Sequence, residues 1–262
     1  MMQQLHDKSQ IENFFRKSTA LHLYEIGDLD DNYYENTTWF GWLVDGHICA
    51  IVLIYNIDAF ELPILLAMAL TDQHHLTSLL NSSKSILPPK FNAHFGFNGY
   101  GFHSIFPKSS NIELHAKYML DPSTTVKSSP LPKQLTSKDV PDMIAFYKAA
   151  FPESEFDPRA VENGSYFGIW DNGWVSIAGA HILSINYKVA SLGNIATLPQ
   201  YRNKDYASKS CSACILYLRN LGIENIGLNV KLENKAAINC YERIGFTKIA
   251  EYTECKVING FD

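Results

Sequence analysis

No apolar run in this sequence comes near the roughly 20 residues that a helix needs to cross a membrane. The longest, ICAIVLIY (48–55) and LPILLAMAL (62–70), are the size of core segments. The opening MMQQLHDKSQ lacks the charged-then-apolar layout of a secretory signal. Positive charge is scarce as well. Lys and Arg number 22 against 27 Asp and Glu, the net charge is -5, and no dense basic block occurs, so nucleic acid is not an expected partner. Cysteine is sparse and unpatterned: Cys49, Cys211, Cys214, Cys240 and Cys255 form an odd set without framework spacing, which suits reduced thiols in a cytoplasm. Cys211 and Cys214 do make a CxxC, but it falls inside a helical pattern with no second ligand pair, so it reads as helix packing. No metal and no membrane are expected.

What remains is a globular chain. Its 262 residues are 46% hydrophobic and 19% charged, enough for two packed cores. Two stretches read as connectors: NSSKSILPPK (81–90) and DPSTTVKSSPLPK (121–133). The second suggests an accessory domain over 1–122, a linker over 123–130 and a second domain over 131–262. Before it, IENFFRKSTALHLYEIGDL (11–29) predicts one helix, and TTWFGWLVDGHICAIVLIY predicts two strands turning at Asp45-Gly46. A helix is expected near 72–81. The G-x-x-G-x-G within FNAHFGFNGYGFHSIF has no clear helix after it, so it reads as a turn between aromatic segments, not a nucleotide loop.

After the connector, DVPDMIAFYKAAF (139–151) predicts a helix, and a short one is expected around Pro158–Glu162. Asp171-Asn172-Gly173 predicts a hairpin, and VASLGNIATL (189–198) a strand. A helix from about Asn203 to Leu221 follows, with Ala207, Cys211, Cys214, Ile215, Leu218 and Leu221 on one stripe. Then come the strand NIGLNVKL, the helix NKAAINCYERIGF stopped at Gly245, and the strand TKIAEYTECKVI. Helices and strands alternate around a largely antiparallel sheet, an α/β (α+β) pattern and not a Rossmann repeat.

Two features of this half carry chemistry. ATLPQYRNKDYASKS (196–210) runs from a strand end through a Pro-marked turn into a basic helix start. A helix's first turn presents unpaired N–H groups, and these attract phosphate when cations stand nearby. Arg202 and Lys204 supply the cations. In the next helix Asn234 and Tyr241 lie two turns apart on one face, and a phenol so placed can give a proton to a leaving thiolate.

Taken together and in this order, PQYRNKDYA and N-x-x-A-x-x-x-Y-x-x-x-G-F (234–246) make the block from Leu192 to Phe246 resemble the GNAT superfamily of acyl-CoA-dependent N-acetyltransferases. GNIATLPQYR and IGLNVKLENKAAINCYERIGF look similar to its glycine-N-acyltransferase-like branch. The resemblance implies a GNAT-like mixed, largely antiparallel central sheet flanked by helices, with 131–262 catalytic and 1–122 a degenerate copy in tandem. It implies acetyl-CoA as co-substrate, attacked directly by a bound primary amine. Ile195, Ala196 and Thr197 would bind the pantetheine arm through their backbone. Arg202, Asn203, Lys204, Asp205, Tyr206, Ala207 and Ser208 would cradle the diphosphate, Asn234 would touch the cofactor arm, and Tyr241 would protonate the departing thiolate.

One residue departs from the pattern. The family's first loop glycine falls at Asp205, while the second small position is kept as Ala207. Asp205 either weakens the cradle by charge and crowding, or turns its carboxylate to solvent and leaves its amide to donate. The cofactor strand has no carboxylate or histidine, so a base is sought elsewhere: His181 on the preceding strand or Glu254 on the last, unless water chains serve. In the first half Tyr33, Tyr34, Trp39 and Trp42 are candidates for lining an acceptor pocket, although core packing suits most of them. The acceptor expected is a small-molecule amine or amino acid, and a homodimer is compatible with the reading. The alternative is a non-catalytic acyl-CoA or small-molecule binding protein with the same fold.

Overall fold

The computed structural model describes residues 1–57, 61–68, 73–96, 104–152, 154 and 156–258. Its strands in chain order are β1 (Met2–Leu5), β2 (Thr37–Val44), β3 (His47–Tyr55), β4 (Ile64–Ala67), β5 (Lys90–Gly96), β6 (Ser109–Leu120), β7 (Lys133–Gln134), β8 (Phe167–Trp170), β9 (Trp174–Ser184), β10 (Val189–Thr197), β11 (Asn225–Lys231) and β12 (Phe246–Ile258). The fold is mixed α/β, with mostly antiparallel sheet flanked by helices. The chain forms two compact units. One holds Met1–Lys117, Lys231–Glu233 and Ile249–Asp262, and the other holds Tyr118–Val230 and Asn234–Lys248.

In the first unit the strand order is β1-β2-β3-β4-β5-β12-β6. β2 and β3 form the expected hairpin, and both turn residues take the left-handed backbone that Asp-Gly supplies, φ 51° at Asp45 and 79° at Gly46. β4 and β5 pair in parallel. The helix Gln73–Ser83, close to the expected 72–81, packs Leu76, Leu79 and Leu80 into a core with Val52, Leu65, Phe91, Phe95 and Val257. Trp39 is buried in its own strand, and its indole N–H donates to Thr37 Oγ1 at 2.7 Å, so it packs the core instead of lining a pocket.

The single helix expected over 11–29 is broken. Helices run over Lys8–Phe15 and Leu23–Gly27, with a 3-10 turn at Arg16–Ser18 between them. Ser18 and Thr19 carbonyls accept from Leu21 and His22 amides three residues on, the tighter turn that follows where Ser and Thr compete with helical pairing. The G-x-x-G-x-G stretch lies outside the described residues except for Gly96 at the end of β5.

In the second unit the order is β11-β10-β9-β8-β7. The β8–β9 hairpin turns through Asn172 (φ 54°) and Gly173 (φ 142°), as the sequence predicts. The helix Tyr206–Asn220 buries Cys211, Cys214, Ile215 and Leu218, four of the six residues of the expected stripe. It packs on β8, β9 and β10, and Ser210 Oγ donates to Ser176 Oγ on β9. The helix Val140–Ala150 packs Met143, Phe146 and Tyr147 against Ile177 and Ala196. Adjacent strand residues point to opposite faces, so these two helices sandwich β9 and β10. Residues 121–124, inside the Ser/Thr/Pro-rich connector, are pinned by Arg219, which donates to the carbonyls of Thr124 (2.7 Å), Pro122 (3.3 Å) and Asp121 (3.4 Å). The last helix, Lys235–Ile244, ends at Gly245 in a left-handed conformation with φ 114°, as expected of a helix stop.

Candidate active site

The centre of the second unit is a place where strand pairing fails. β10 pairs in parallel with β11 only from Val189↔Asn225 to Leu192↔Leu228, yet β10 continues to Thr197 and β11 to Lys231. Beyond Leu192 the two strands part, and Gly193, Asn194 and Ile195 become partly exposed. Among the described residues no strand pairs with the β11-facing edge of β10 beyond Leu192, although the Asn194 and Thr197 carbonyls accept from Tyr147 Oη and Arg202 Nε.

Two β-bulges shape this opening. On β9, His181 is an extra residue between Ala180↔Leu192 and Ile182↔Ser191. On β10, Asn194 and Ile195 together oppose Ala178, and Asn194 takes a left-handed φ of 51°. Bulges re-aim side chains and end pairing. Asn194 is locked from three sides. Tyr147 Oη donates to its carbonyl at 2.7 Å, Ser154 Oγ donates to Oδ1 at 3.0 Å, and its Nδ2 donates to Tyr166 Oη at 3.0 Å. Burial, then the neighbouring Tyr166, pushes the Tyr147 hydroxyl well above its ordinary pKa, so it stays protonated and donates.

His181 lies directly over Gly193: a Cβ built there would come within 1.6 Å of its Nδ1. The glycine is what lets the imidazole rest against the bulged strand. Gly193→Ala is therefore expected to expel the ring and to lower unfolding free energy by about 1–3 kcal/mol. A denaturation midpoint equal to the wild type's would show that the ring makes room without loss.

Past the strand end, Pro199–Tyr201 forms one 3-10 turn and the chain enters the helix Tyr206–Asn220 through Asn203 (φ 62°) and Asp205 (φ 56°). Asp205 thus adopts the backbone a glycine would supply, which Asp and Asn tolerate better than other residues. Lys209 N–H to Asp205 O, at 3.0 Å, is the first helical bond, so the amides of Tyr206, Ala207 and Ser208 precede intrahelical pairing. The Asp205 carboxylate does not cap them. Residues 202–205 are exposed and 206–208 partly so. Arg202 Nε donates to the Thr197 carbonyl at 3.3 Å, and Lys204 Nζ lies 5.0 Å from the Tyr201 ring centre.

The last helix supplies the remaining candidates. Asn234 is its N-cap, with Oδ1 accepting from Ala237 N–H at 3.1 Å, so its side-chain oxygen is engaged in holding the helix start. Tyr241 is 7% exposed and meets Phe246 edge-on, ring centres 6.2 Å apart. Burial, with Cys211 and Cys240 adding to it, pushes its phenol well above the usual value.

Glu254 lies in the first unit, within a buried polar network. Its Oε1 accepts from Tyr252 Oη and stands 3.4 Å from His115 Nδ1 and 3.7 Å from His94 Nε2. Burial alone would raise its pKa, but His94, His115, the Tyr252 bond and Lys117 together hold it low. A carboxylate held low is a weak base. Glu113, His115 and Glu254 bring ligand atoms within 4.8 Å of one another, an arrangement that can hold a metal ion. However, His115 turns Nδ1 to Glu254 and Nε2 to Glu113, and Lys231 Nζ occupies Glu113 at 2.8 Å. One ion could draw on only one face of that ring.

The sequence missed Gly193, Asn194, Tyr147 and Tyr166. The signal was there in part: Gly-Asn in the middle of a strand marks a bulge or a close approach.

Residues 133–246 match the family model described as "Acetyltransferase (GNAT) family". The whole fold is similar to that of a GNAT-family acetyltransferase from Colwellia psychrerythraea, with 14% identity, coverage of 98% of this chain and 99% of that one, and a TM-score of 0.61. A Drosophila protein is similar with 11% identity, 99% coverage of both chains and a TM-score of 0.73. A tandem GNAT protein from the clavulanic acid biosynthesis pathway is similar with 10% identity, 100% coverage of both chains and a TM-score of 0.61. At these identities the likeness is one of fold. No curated protein matches the chain. Among the described residues no helix is long and apolar enough to cross a membrane.

Proposed function

We propose that this chain is an acyl-CoA-dependent N-acyltransferase that moves an acetyl group from acetyl-CoA to the primary amine of a small molecule or amino acid. The observation that carries the reading is the parting of β10 from β11 after Leu192↔Leu228, directly upstream of a helix start with unpaired amides. An extended thioester arm with amide groups suits the freed edge of β10 at Gly193–Thr197. Its diphosphate suits the amides of Tyr206, Ala207 and Ser208, with Arg202 and Lys204 beside them.

The chemistry asked of the residues is modest, because holding two reactants in line supplies most of the rate. The amine nitrogen bonds to the thioester carbon as the carbon–sulfur bond breaks, and the sulfur leaves with the electron pair. Tyr241 donates its phenolic hydrogen to that sulfur. His181, over the bulge, is the candidate in the second unit for taking the ammonium proton, directly or through water. Residues 131–262 are read as the catalytic part, of the glycine-N-acyltransferase-like branch, and 1–122 as an accessory, degenerate copy.

The test is thiol release from acetyl-CoA over a panel of amino acids, polyamines, aminoglycosides and peptides, with the acylated product weighed by mass spectrometry. At least one amine should give release above the hydrolysis background. Coenzyme A binding without release for any amine would leave only a binding protein. In the same samples, ligand at about 100 times its dissociation constant should add roughly 2.7 kcal/mol of stability.

A further inference from the structure

Asp205 stands where an acyl-CoA cradle can least accommodate an anion, and the structure gives its charge a partner. Arg243, in the last turn of the helix Lys235–Ile244, brings Nη1 to 3.6 Å from Asp205 Oδ1. The guanidinium is steadied by Nε donating to the Asn239 carbonyl at 3.3 Å. An Asp at a helix start ordinarily turns its carboxylate back onto the first amides. Here the left-handed backbone points it elsewhere, and no such bond forms.

We propose that Asp205 and Arg243 work as one unit in ligand binding: Arg243 draws the carboxylate off the amides of residues 206–208 and cancels its charge, which keeps the cradle open to a diphosphate. Arg243 is then a positioning residue of the acyl-CoA site that acts by holding Asp205 away from the anion, and Asp205 is a tolerated residue, not a mark of lost function. This rests on the acyl-CoA reading of the same site. Both side chains are about two-thirds exposed, 67% for Arg243 and 64% for Asp205, so the pair contributes little to folding stability and its effect belongs to binding. A carboxylate left without its cation beside a diphosphate repels it, and that repulsion is the quantity to measure.

The experiment is calorimetric titration of coenzyme A into four proteins: wild type, Arg243→Gln, Asp205→Gly and the double variant, each checked for an unchanged melting temperature. Arg243→Gln should weaken binding on the order of tenfold, a size ordinary for coupled charges. Asp205→Gly, which keeps the left-handed backbone, should bind at least as tightly as wild type. In the Asp205→Gly background the Arg243→Gln loss should shrink to about twofold or less, which is the signature of coupling. An Arg243→Gln affinity equal to wild type, or the same loss in both backgrounds, overturns the proposal while the acyl-CoA reading stands. A wild-type protein that binds no coenzyme A overturns both.

Discussion

Tyr241→Phe is expected to lower turnover by about 10²–10³, the loss that follows removal of one hydrogen-bond donor aimed at developing negative charge. Coenzyme A affinity should hardly move. The phenol sits in a buried spot, and burial raises its pKa well above the ordinary value, so it carries its proton at neutral pH. Such a group is a firm hydrogen-bond donor to a sulfur that is gaining charge. Once the sulfur has taken that proton, the same surroundings drive the phenolate to regain one from solvent and return to the neutral phenol. The ring itself packs edge-on to Phe246, and phenylalanine preserves that contact, so folding should be nearly unchanged. The result therefore separates chemistry from packing. Steady-state rates with a saturating amine, beside coenzyme A titrations, make the comparison; an unaltered rate would take Tyr241 out of the acid role.

Lys117→Met is expected to destabilise the first unit by about 1–3 kcal/mol, the cost of leaving buried polar groups without their compensating partner. Lys117 is 5% exposed. Burial pulls its ammonium pKa down, and the carboxylates of Glu25 and Glu254 push it back. Its Nζ also faces the rings of Tyr24, at 5.0 Å, and Tyr252, at 5.2 Å. Methionine keeps much of the stem and removes the charge. Glu25 would then keep His22, whose Nδ1 is 3.0 Å away, and a backbone hydrogen bond, while its Oε2 is already buried without a hydrogen-bond partner among the described residues. Lys117→Arg, which keeps the charge, should lose less. Urea denaturation of the three proteins decides it, and equal midpoints for wild type and Lys117→Met would show that the network adds nothing to folding.

Much of the second unit could be read from the chain because its signals are local. The stripe of Cys211, Cys214, Ile215 and Leu218 fixes a helix face, Asp171-Asn172-Gly173 closes a hairpin, and Gly245 stops a helix; each needs only its neighbours in sequence. The parting of β10 from β11 is different, since it depends on register between strands whose partner residues lie 36 positions apart. The lock on Asn194 draws Tyr147, Ser154 and Tyr166 from three separate segments, and no periodicity announces such a meeting. The polar network of the first unit was hidden for the same reason. His22, Glu25, His94, His115, Lys117 and Glu254 are scattered through the sequence, so Glu254 could be named as a candidate base without any sign of the neighbours that hold its pKa low. At Asp205 the difficulty was one of geometry. Type and position gave the charge, but only the backbone φ of 56° and the direction of Arg243 tell where that charge goes.

The most direct measurement follows backbone amide resonances as coenzyme A is added to the isotopically labelled protein. The account predicts that the largest shifts fall on Ile195 to Thr197 and on Tyr206 to Ser208, saturating together with one dissociation constant. Saturable binding that leaves the Tyr206–Ser208 amides unmoved would contradict it, because the nucleotide would then be held somewhere other than the mouth of that helix.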